Sequence, residues 1–364
     1  MHKLKSGQKR SQLENLLKDW IIAGRWQAGD PFPTYEELDR LFDASRATLS
    51  HVLKNLQRDL YTVSVERRGT FVADRIPARH RIGMVFRLDE FENSFWAKIA
   101  GAAQRYNQQY DAEYEFVIIR EHILSAPHNK EYAGLYDQLK RRMLGAMFFP
   151  FPPNDNLFDD FFAEFPDVPR VSFDPPRGKH HHLLIGLDAQ GAVNRVVDYF
   201  ARQEIRRIAL VTSGFSPQID FFEKAVYASG LMTRPEWMVP VEKENPQYVK
   251  NMVLLLLSLP KEQRPEGFYI ANDIDLEAVQ AVILASGISP ESLCLVSHAN
   301  FPDKAVPLFP VKRIGFSSDR VVGSIAKLVK DFYERKSEDK IIVPAEEEPD
   351  PVYNEPTIMI KEKV

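Results

Sequence analysis

The sequence predicts an α/β protein with a small helical domain that ends in a β-hairpin and a larger two-lobed domain with parallel sheets. Three observations support this fold class. The chain has 364 residues, enough for two or three hydrophobic cores. Its first part carries apolar residues at helical spacing, and beyond residue 81 short apolar runs alternate with amphipathic segments. Such alternation favours parallel strands covered by helices on both faces.

Composition and charge limit the classes of protein to consider. Cys294 is the single cysteine, so no disulfide framework is possible and a reducing, cytoplasmic compartment is expected. The most apolar run, Met252 to Leu259, is far shorter than the ~20 residues of a membrane span, so no membrane partner is expected. Residues 1–80 contain 14 Lys+Arg against 10 Asp+Glu, whereas the rest contain 33 against 41. A basic head on an acidic body indicates a polyanionic partner for the head.

The stretch from Thr34 to Lys54 predicts two short helices separated by a tight turn. Thr34 and Glu37 have the spacing of a capping box, and Ser45 offers a second N-cap eleven residues later. A first helix is predicted over residues 11–23, where apolar residues recur at helical spacing before Gly24. The three helices together predict a helix-turn-helix.

A basic β-hairpin is predicted directly after the third helix. Tyr61 to Val65 and Thr70 to Val72 have strand composition. The turn between them contains Arg67, Arg68 and Gly69, so its tip is positively charged. Three helices followed by such a hairpin predict a winged helix.

At this point the N-terminal domain resembles the DNA-binding domain of the GntR family of bacterial transcription regulators. Four blocks match that family in order and spacing: Ile21–Gly24, Ala28–Leu38, Ala44–Ser50 and Arg67–Val72. The sequence departs from the family in three places. Ser50 stands where the recognition helix has a second arginine, Tyr35 or Glu36 where helix 2 often has an arginine, and Arg67 where the wing has its first glycine.

The resemblance implies double-stranded DNA as a partner, and the residue types suggest individual roles. Arg46, near the start of the recognition helix, is suited to bidentate pairing with guanine in the major groove. Arg67 and Arg68 are suited to the minor groove, and Thr34 and Lys54 to phosphates. The alternative is a structural helical hairpin with solvated charges. The predicted DNA-binding residues are Thr34, Ser45, Arg46, Thr48, Ser50, His51, Lys54, Arg67, Arg68, Gly69 and Thr70.

The chain divides into four predicted segments. Residues 1–73 form the winged-helix domain, and the polar segment 74–81 is a linker. Residues 82–344 form the two-lobed domain, and residues 345–364 form an acidic tail that is either flexible or an edge segment. The strands predicted in the two-lobed domain are 81–86, 114–119, 144–149, 168–173, 208–212, 267–271, 293–297 and 313–316, with helices between them.

The larger domain resembles the effector domain of LacI-type repressors, which is similar to periplasmic sugar-binding proteins. The resemblance covers about residues 81–344. The residues that carry it are Ile82-Gly83, Asn93–Trp96, Leu144–Phe148, Val168–Asp174, Asp188 with Gly191, Ile205–Ala209, Ala271–Asp273, Ile288–Pro290 and Asp319 with Gly323. Gln218 replaces a usual arginine, and Ser297–Asn300 replace a usual Gly-Phe-Asp motif, which weakens the assignment of a sugar.

Ligands of open α/β lobes bind at the carboxyl ends of strands, so loop residues at those ends are the candidates for an effector site. Aromatic rings can stack on a sugar, and carboxylates and amides can bind its hydroxyls. For any single aromatic residue a role in the core is the alternative. The predicted effector-binding residues are Asp89, Phe95, Trp96, Phe149, Phe151, Asp174, Phe215, Gln218, Asn272, Asp273, His298 and Asn300.

No motif in the sequence supports catalysis or a cofactor. His180, His181 and His182 are consecutive and cannot all converge on one ion from an extended loop, so a solvated loop is predicted there. We find no zinc-binding spacing, phosphate-binding loop or paired nucleophile and base. No cofactor and no metal are therefore expected, and the protein is not expected to be an enzyme.

The sequence thus predicts a ligand-responsive transcription regulator, most simply a repressor, that forms a homodimer through its C-terminal lobes. Two winged helices would then bind an inverted-repeat operator, with recognition helices about 34 Å apart. A small-molecule effector, expected to be a sugar or a sugar derivative, would modulate DNA binding. Two alternatives remain: an enzyme fused to a DNA-binding head, and an architectural DNA-binding protein without a ligand.

Overall fold

The structure, a computed structural model, describes residues 9–87, 94–121, 133–150, 165, 168–173, 182–213, 217–241, 245–303, 306–336 and 339–351. The chain forms two compact units. The first contains Met1–Ile185 and Val322–Ile341, and the second contains Gly186–Val321 and Ile342–Val364. None of the helices in the described part of the chain is long and apolar enough to cross a bilayer.

The N-terminal domain has the predicted order of three helices and a hairpin. Helices α1 (Lys9–Ile22), α2 (Tyr35–Phe42) and α3 (Arg46–Arg58) precede the antiparallel strands β1 (Thr62–Val65) and β2 (Gly69–Val72). Each helix buries one apolar stripe, because the apolar residues recur every three or four positions. The buried core includes Leu13, Leu17, Ile21, Leu38, Phe42, Leu49, Val52 and Leu56.

The rest of the first unit is a helix-covered sheet. Its strands are β3 (Arg81–Arg87), β4 (Glu115–Glu121), β5 (Ala146–Phe149), β6 (Arg170–Ser172), β7 (His182–Leu187) and β13 (Lys340–Val343). They lie in the order β13-β7-β6-β5-β3-β4, and the pairs from β4 through β7 are parallel. Helices α5 (Ser94–Asn107) and α6 (Ala133–Lys140) connect them. The short apolar strands are buried, as expected of a parallel sheet covered by helices.

The second unit contains another six-stranded sheet. Its strands are β8 (Ile208–Ser213), β9 (Met238–Val241), β10 (Gly267–Ile270), β11 (Cys294–Phe301), β12 (Lys312–Ser317) and β14 (Glu346–Glu347). The order is β14-β12-β11-β10-β8-β9, and only β14 is antiparallel to its neighbour. The helices are α7 (Ala189–Arg202), α8 (Pro217–Ala228), α9 (Pro246–Leu257) and α10 (Leu276–Ala285). Helix α11 (Ser318–Tyr333) begins in this unit, and from Val322 onward it belongs to the first unit. The predicted α/β class with parallel sheets is confirmed.

The segment predicted as a linker is partly helical and buried. Helix α4 (Pro77–His80) begins with a proline, whose fixed φ suits the first turn of a helix. Ile76 and Ala78 join the core of the N-terminal domain, so this segment is held against it. In the sequence these two apolar residues stand among polar ones, so the segment showed no apolar periodicity and was predicted as a linker.

The structure also corrects the predicted ends of other segments. His182 starts strand β7 instead of lying in a loop, whereas His180 and His181 lie outside the described residues. The acidic tail begins as an edge strand, because Glu346 and Glu347 pair with β12. Strands β7, β9 and β13 were not predicted.

His80, at the end of α4, makes the stability of the first unit depend on pH. Its Nδ1 lies 3.1 Å from the carbonyl oxygen of Glu113. Burial lowers the pKa of His80 below 6.5, against the opposing effect of the Glu113 carbonyl. The unfolded chain therefore binds a proton more readily, and this contribution to stability is present above pH 6.5 and is lost as the pH falls below it.

We predict that His80→Asn reduces the loss of stability between about pH 7.5 and pH 5, because Asn keeps a donor for Glu113 and does not titrate. Urea unfolding of both proteins at several pH values measures this. His51→Asn is the control, since His51 is exposed on α3. An unchanged pH dependence in His80→Asn would contradict the prediction.

Candidate DNA-binding surface and ligand site

Two side-chain caps and a left-handed residue fix the helix-turn-helix. The backbone N–H of Thr34 donates to Glu37 Oε2 at 2.8 Å, and the N–H of Glu37 donates to Thr34 Oγ1 at 3.4 Å, which is the predicted capping box. Hydrogen bonds from the backbone N–H and the hydroxyl of Thr34 to the Glu37 carboxylate lower the pKa of Glu37. Asp43 ends α2 at φ 47°, and Ser45 caps α3 by accepting from the N–H of Thr48 at 3.3 Å. The turn between the helices is therefore set by local hydrogen bonds.

Helix α3 presents its polar face to solvent. Leu49, Val52 and Leu56 are buried on one side, and the opposite side carries the predicted readers. Arg46, His51 and Lys54 are exposed and Ser50 is half-buried. The hydroxyls of Ser45 and Thr48 lie 3.0 Å apart and hydrogen-bond to each other, so both serve the cap. Arg46 is the one long basic side chain at the N-terminal end of this helix.

The hairpin forms the predicted basic wing. Val65 pairs with Gly69, and the turn between them places Arg67 at φ 60° and Gly69 at φ 107°. Gly69 suits this position because a positive φ strains residues with a Cβ. The Arg67 side chain is 91% exposed, and the Arg68 guanidinium lies 5.8 Å from the centre of the Phe71 ring. Both arginines are thus available at the tip.

The base of the wing is tied to the segment before α2. The N–H of Phe32 donates to the carbonyl of Thr70 at 2.8 Å, and Pro31 forms a bridge with Phe71. The N–H of Val72 donates to the backbone carbonyl of Asp30 at 2.9 Å. These bonds hold Thr70 and the wing in a fixed position within the domain.

Sequence reasoning missed one aromatic and cationic cluster in this domain. Trp20 packs against Trp26 and Phe42, with ring centres 5.8 Å and 5.4 Å apart. The guanidinium of Arg25 lies 3.6 Å from the centre of the Trp20 ring. This contact stabilises the connection after α1. The two tryptophans six residues apart are a signal that could have been read.

The predicted aromatic residues of the first unit divide between an interior cluster and the core. Phe95 is half-buried and lies 4.6 Å from Trp96, ring centre to ring centre. Phe173 approaches both rings, at 6.2 Å and 5.7 Å. Trp96 is 5% exposed, and Phe149 is 2% exposed within the core formed with Leu135. Phe149 and Trp96 therefore follow the core alternative, whereas Phe95 remains accessible.

The predicted polar residues of the second unit lie together at the ends of β10 and β11. The Asn300 amide donates to Asp273 Oδ2 at 3.1 Å, and its oxygen lies 3.2 Å from His298 Nε2. Asn272 caps the following turn by accepting from the N–H of Ile274 at 3.4 Å. The structure thus links three predicted side chains into one chain of hydrogen bonds.

Asp275 is a further polar residue beside this group that sequence reasoning missed. It is 7% exposed, and burial together with the charge of Asp273 raises its pKa. The remaining predicted residues, Asp89, Phe151, Asp174, Phe215 and the side chain of Gln218, lie outside the described residues.

Comparison with known proteins agrees with this geometry. Residues 9–72 match the family described as "Bacterial regulatory proteins, gntR family". The N-terminal domain is a GntR-family helix-turn-helix domain. A similar protein over nearly the full length is the "Arabinose metabolism transcriptional repressor" of Geobacillus stearothermophilus. It is 22% identical, covering 91% of this chain and 92% of that protein.

Solved structures identify the fold of the larger part. A regulatory protein of the LacI family from Chloroflexus aggregans is 14% identical, covers 74% of this chain and 97% of its own, and has a TM-score of 0.57. A LacI family transcriptional regulator from Lactobacillus casei, with bound glucose, is 16% identical, covers 75% and 99%, and has a TM-score of 0.52. The chain combines a GntR domain with the fold of LacI-family regulators.

We predict that Arg46→Ala weakens binding of the GntR domain to its specific DNA site by about tenfold or more, because a bidentate arginine–guanine pair is worth about 1–3 kcal/mol. Electrophoretic mobility shifts on a site selected with the wild-type protein measure this. Arg10→Ala, which removes the same charge from the exposed start of α1, is the control. Equal losses in both variants would contradict a specific role for Arg46.

Proposed function

We propose that the protein is a ligand-responsive transcription repressor whose C-terminal lobes bind a small molecule, a sugar or sugar derivative, and thereby change operator binding. The observation that carries this proposal is the joining of a GntR domain to the LacI-type fold in one chain. The first part supplies a surface for double-stranded DNA. The second has the fold of known regulators, one of which holds glucose.

The polar chain in the second unit supports a hydroxylated ligand. Asp273, Asn300 and His298 provide carboxylate, amide and imidazole groups at the carboxyl ends of two neighbouring parallel strands. This is the edge at which open α/β sheets bind ligands. Such groups hydrogen-bond to hydroxyls. Arabinose is the first ligand to test, because the similar repressor is named for its metabolism.

Regulation requires only that the effector binds one conformation of the protein more tightly than another. The ratio of its affinities for the two conformations sets the upper limit of the change that it can make in operator affinity. In a repressor that is induced, the ligand-bound conformation is the one with the weaker operator affinity.

A homodimer through the C-terminal lobes is supported by exposed apolar residues on two helices that pack together. On α9, Leu254 and Leu255 are 48% and 62% exposed, and Leu284 on α10 is 51% exposed. Gln280 of α10 bonds to the backbone of Leu308 and Phe309, which brings the exposed Leu308 beside these helices. Exposed apolar residues on neighbouring elements are typical of an interface. A two-fold dimer would match an inverted-repeat operator.

We predict that Asn300→Ala weakens effector binding at least tenfold and leaves operator affinity without effector within about twofold, since Asn300 links Asp273 and His298 and an unpaired polar group is costly. Titration calorimetry with arabinose, and then with a panel of sugars, measures binding. Asn194→Ala on the exposed face of α7 is the control. The proposal fails if no sugar binds the wild-type protein, and the residue assignment fails if both variants bind equally.

We predict that Leu255→Asp converts the dimer into a monomer, because it places a charge in an apolar interface. Light scattering during size-exclusion chromatography measures the mass. Operator affinity should fall more than tenfold, since two linked heads gain from their effective concentration. Tyr110→Asp changes a fully exposed residue of the first unit and serves as the control. A Leu255→Asp protein that remains dimeric would place the interface elsewhere.

A further inference from the structure

The turn between α6 and β5, residues 141–145, receives two hydrogen bonds from the GntR domain; we call it the seat turn. The ammonium group of Lys18, on α1, donates to the carbonyl of Arg141 at 2.9 Å. The hydroxyl of Tyr61 donates to the carbonyl of Arg142 at 2.6 Å. The carbonyls at the end of a helix lack partners within it, and a lysine there also interacts favourably with the helix dipole.

Lys18 needs the seat turn to complete its hydrogen bonding. Its side chain is 0% exposed, and an ammonium group has three hydrogens to donate. Two go to Glu14 at 2.9 Å and Asp59 at 2.8 Å, both within the GntR domain, and the third goes to Arg141. Burial acts to raise the pKa of Asp59, but hydrogen bonds from Arg58 and Lys18 lower it below its ordinary value. In the seated head all three hydrogens of this buried ammonium group are therefore donated to protein acceptors.

The seat turn has a defined conformation and a second, ionic contact with the head. Arg142 adopts φ 56°, and its guanidinium donates to both carboxylate oxygens of Asp19, at 2.6 Å and 3.1 Å. The backbone N–H groups of Arg142 and Met143 donate to carbonyls of α6. The turn thus presents two carbonyls and one cation in fixed positions.

Gly145, at the other end of the seat turn, is contacted by the linker and by α11. A Cβ at Gly145 would lie 2.5 Å from the carbonyl oxygen of Ala78, so only glycine permits the approach of α4. The N–H of Gly145 donates to the backbone carbonyl of Arg81, and the carbonyl of Gly145 accepts from the hydroxyl of Tyr333. Contacts from α1, Tyr61, α4 and α11 therefore converge on five residues.

The seated head leaves its predicted DNA-binding surface open. Lys18 and Tyr61 are buried at the contact, whereas Arg46, Lys54 and Arg67 are exposed in the same structure. Lys18 lies on α1 and Tyr61 lies between α3 and β1. The candidate DNA-binding residues Arg46 and Lys54 lie on α3, and Arg67 lies in the wing. Seating is therefore compatible with DNA binding.

We propose that the seat turn fixes the orientation of the GntR domain on the first lobe, and that Lys18, Tyr61 and Arg142 are positioning residues through which the lobe controls how two heads meet an inverted repeat. This inference rests on the proposed function. If it holds, loss of the contact weakens binding to an inverted repeat, where two heads bind together. Binding of one head to a single half-site is unchanged, because the fold of the head is unaffected.

The test uses the full-length double variant Tyr61→Phe/Arg142→Gln. It removes the Tyr61 hydroxyl and the Arg142 charge but keeps the buried ring and the turn carbonyls. The matched control is Tyr110→Phe/Arg141→Gln. Tyr110 is fully exposed, and the Arg141 side chain pairs with Asp137 of α6 at 3.0 Å. This control therefore makes the same chemical changes but keeps the Arg141 carbonyl, the Tyr61 hydroxyl and the ion pair of Arg142 with Asp19.

The first measurement needs neither DNA nor effector. Hydrogen exchange of the amides of residues 141–145 should become at least tenfold faster in the double variant and remain unchanged in the control, because loss of the contact opens the seat turn to solvent. Exchange that is equally slow in all three proteins would overturn the proposal, whether or not the protein regulates transcription.

The second measurement compares two duplexes: an inverted repeat selected in vitro with the wild-type protein, and the same duplex with one half-site scrambled. The double variant should bind the inverted repeat about fivefold to tenfold more weakly and the single half-site as the wild type does, since only the linked event depends on orientation. Equal affinity for the inverted repeat, or an equal loss on both duplexes, would overturn the proposal.

The two proposals fail in different ways. If the wild-type protein selects no DNA, or if no sugar changes its DNA affinity, the proposed function fails, and the hydrogen-exchange result still decides whether the head is seated. If the wild type responds to a sugar and the double variant shows the same fold-change in affinity for the inverted repeat, control through the seat turn is refuted while the proposed function stands.

Discussion

A buried ammonium group must donate all three of its hydrogens, and in this protein that requirement joins the DNA-binding head to the rest of the first unit. Among the described residues of its own domain, Lys18 donates to two side chains, Glu14 and Asp59. The third acceptor is a carbonyl at the end of α6. The orientation of the head is therefore a property of the first unit as a whole.

The head was predictable from sequence because local rules determine most of it. The Thr34–Glu37 capping box and the Ser45 cap are visible as residue types at fixed spacing, and the structure contains both. The wing followed from two apolar runs around a basic turn with Gly69. The contact of Lys18 with Arg141 was not predictable, because its partners are 123 residues apart and one of them is a backbone carbonyl, which any residue carries.

In the larger domain, strand and helix alternation gave the fold class, but short strands escaped detection. Strand β9 contains Pro240, which counts against a strand in sequence, and β13 begins with Lys340 directly after a charged stretch. The candidate site shows the same division. Asp273, Asn300 and His298 were predicted because the ends of parallel strands share one edge, and they do lie together. Phe149 was also placed at a strand end, yet its ring is in the core, because a residue at that position can face either side.

The composition of the recognition helix makes the fixed seating of the head more important. Ser50 occupies the position at which the resembling family carries a second arginine, so Arg46 is left as the long basic side chain near the start of α3. In the proposed mode of binding, each head would make few strong contacts with bases, and its affinity for one half-site would be correspondingly low. Affinity and discrimination would then come from the wing and from two heads acting together, and the gain from linking them is greatest when their geometry matches the spacing of the half-sites. A recognition helix with one long basic side chain near its start would therefore benefit from a head whose orientation is fixed by a buried cation.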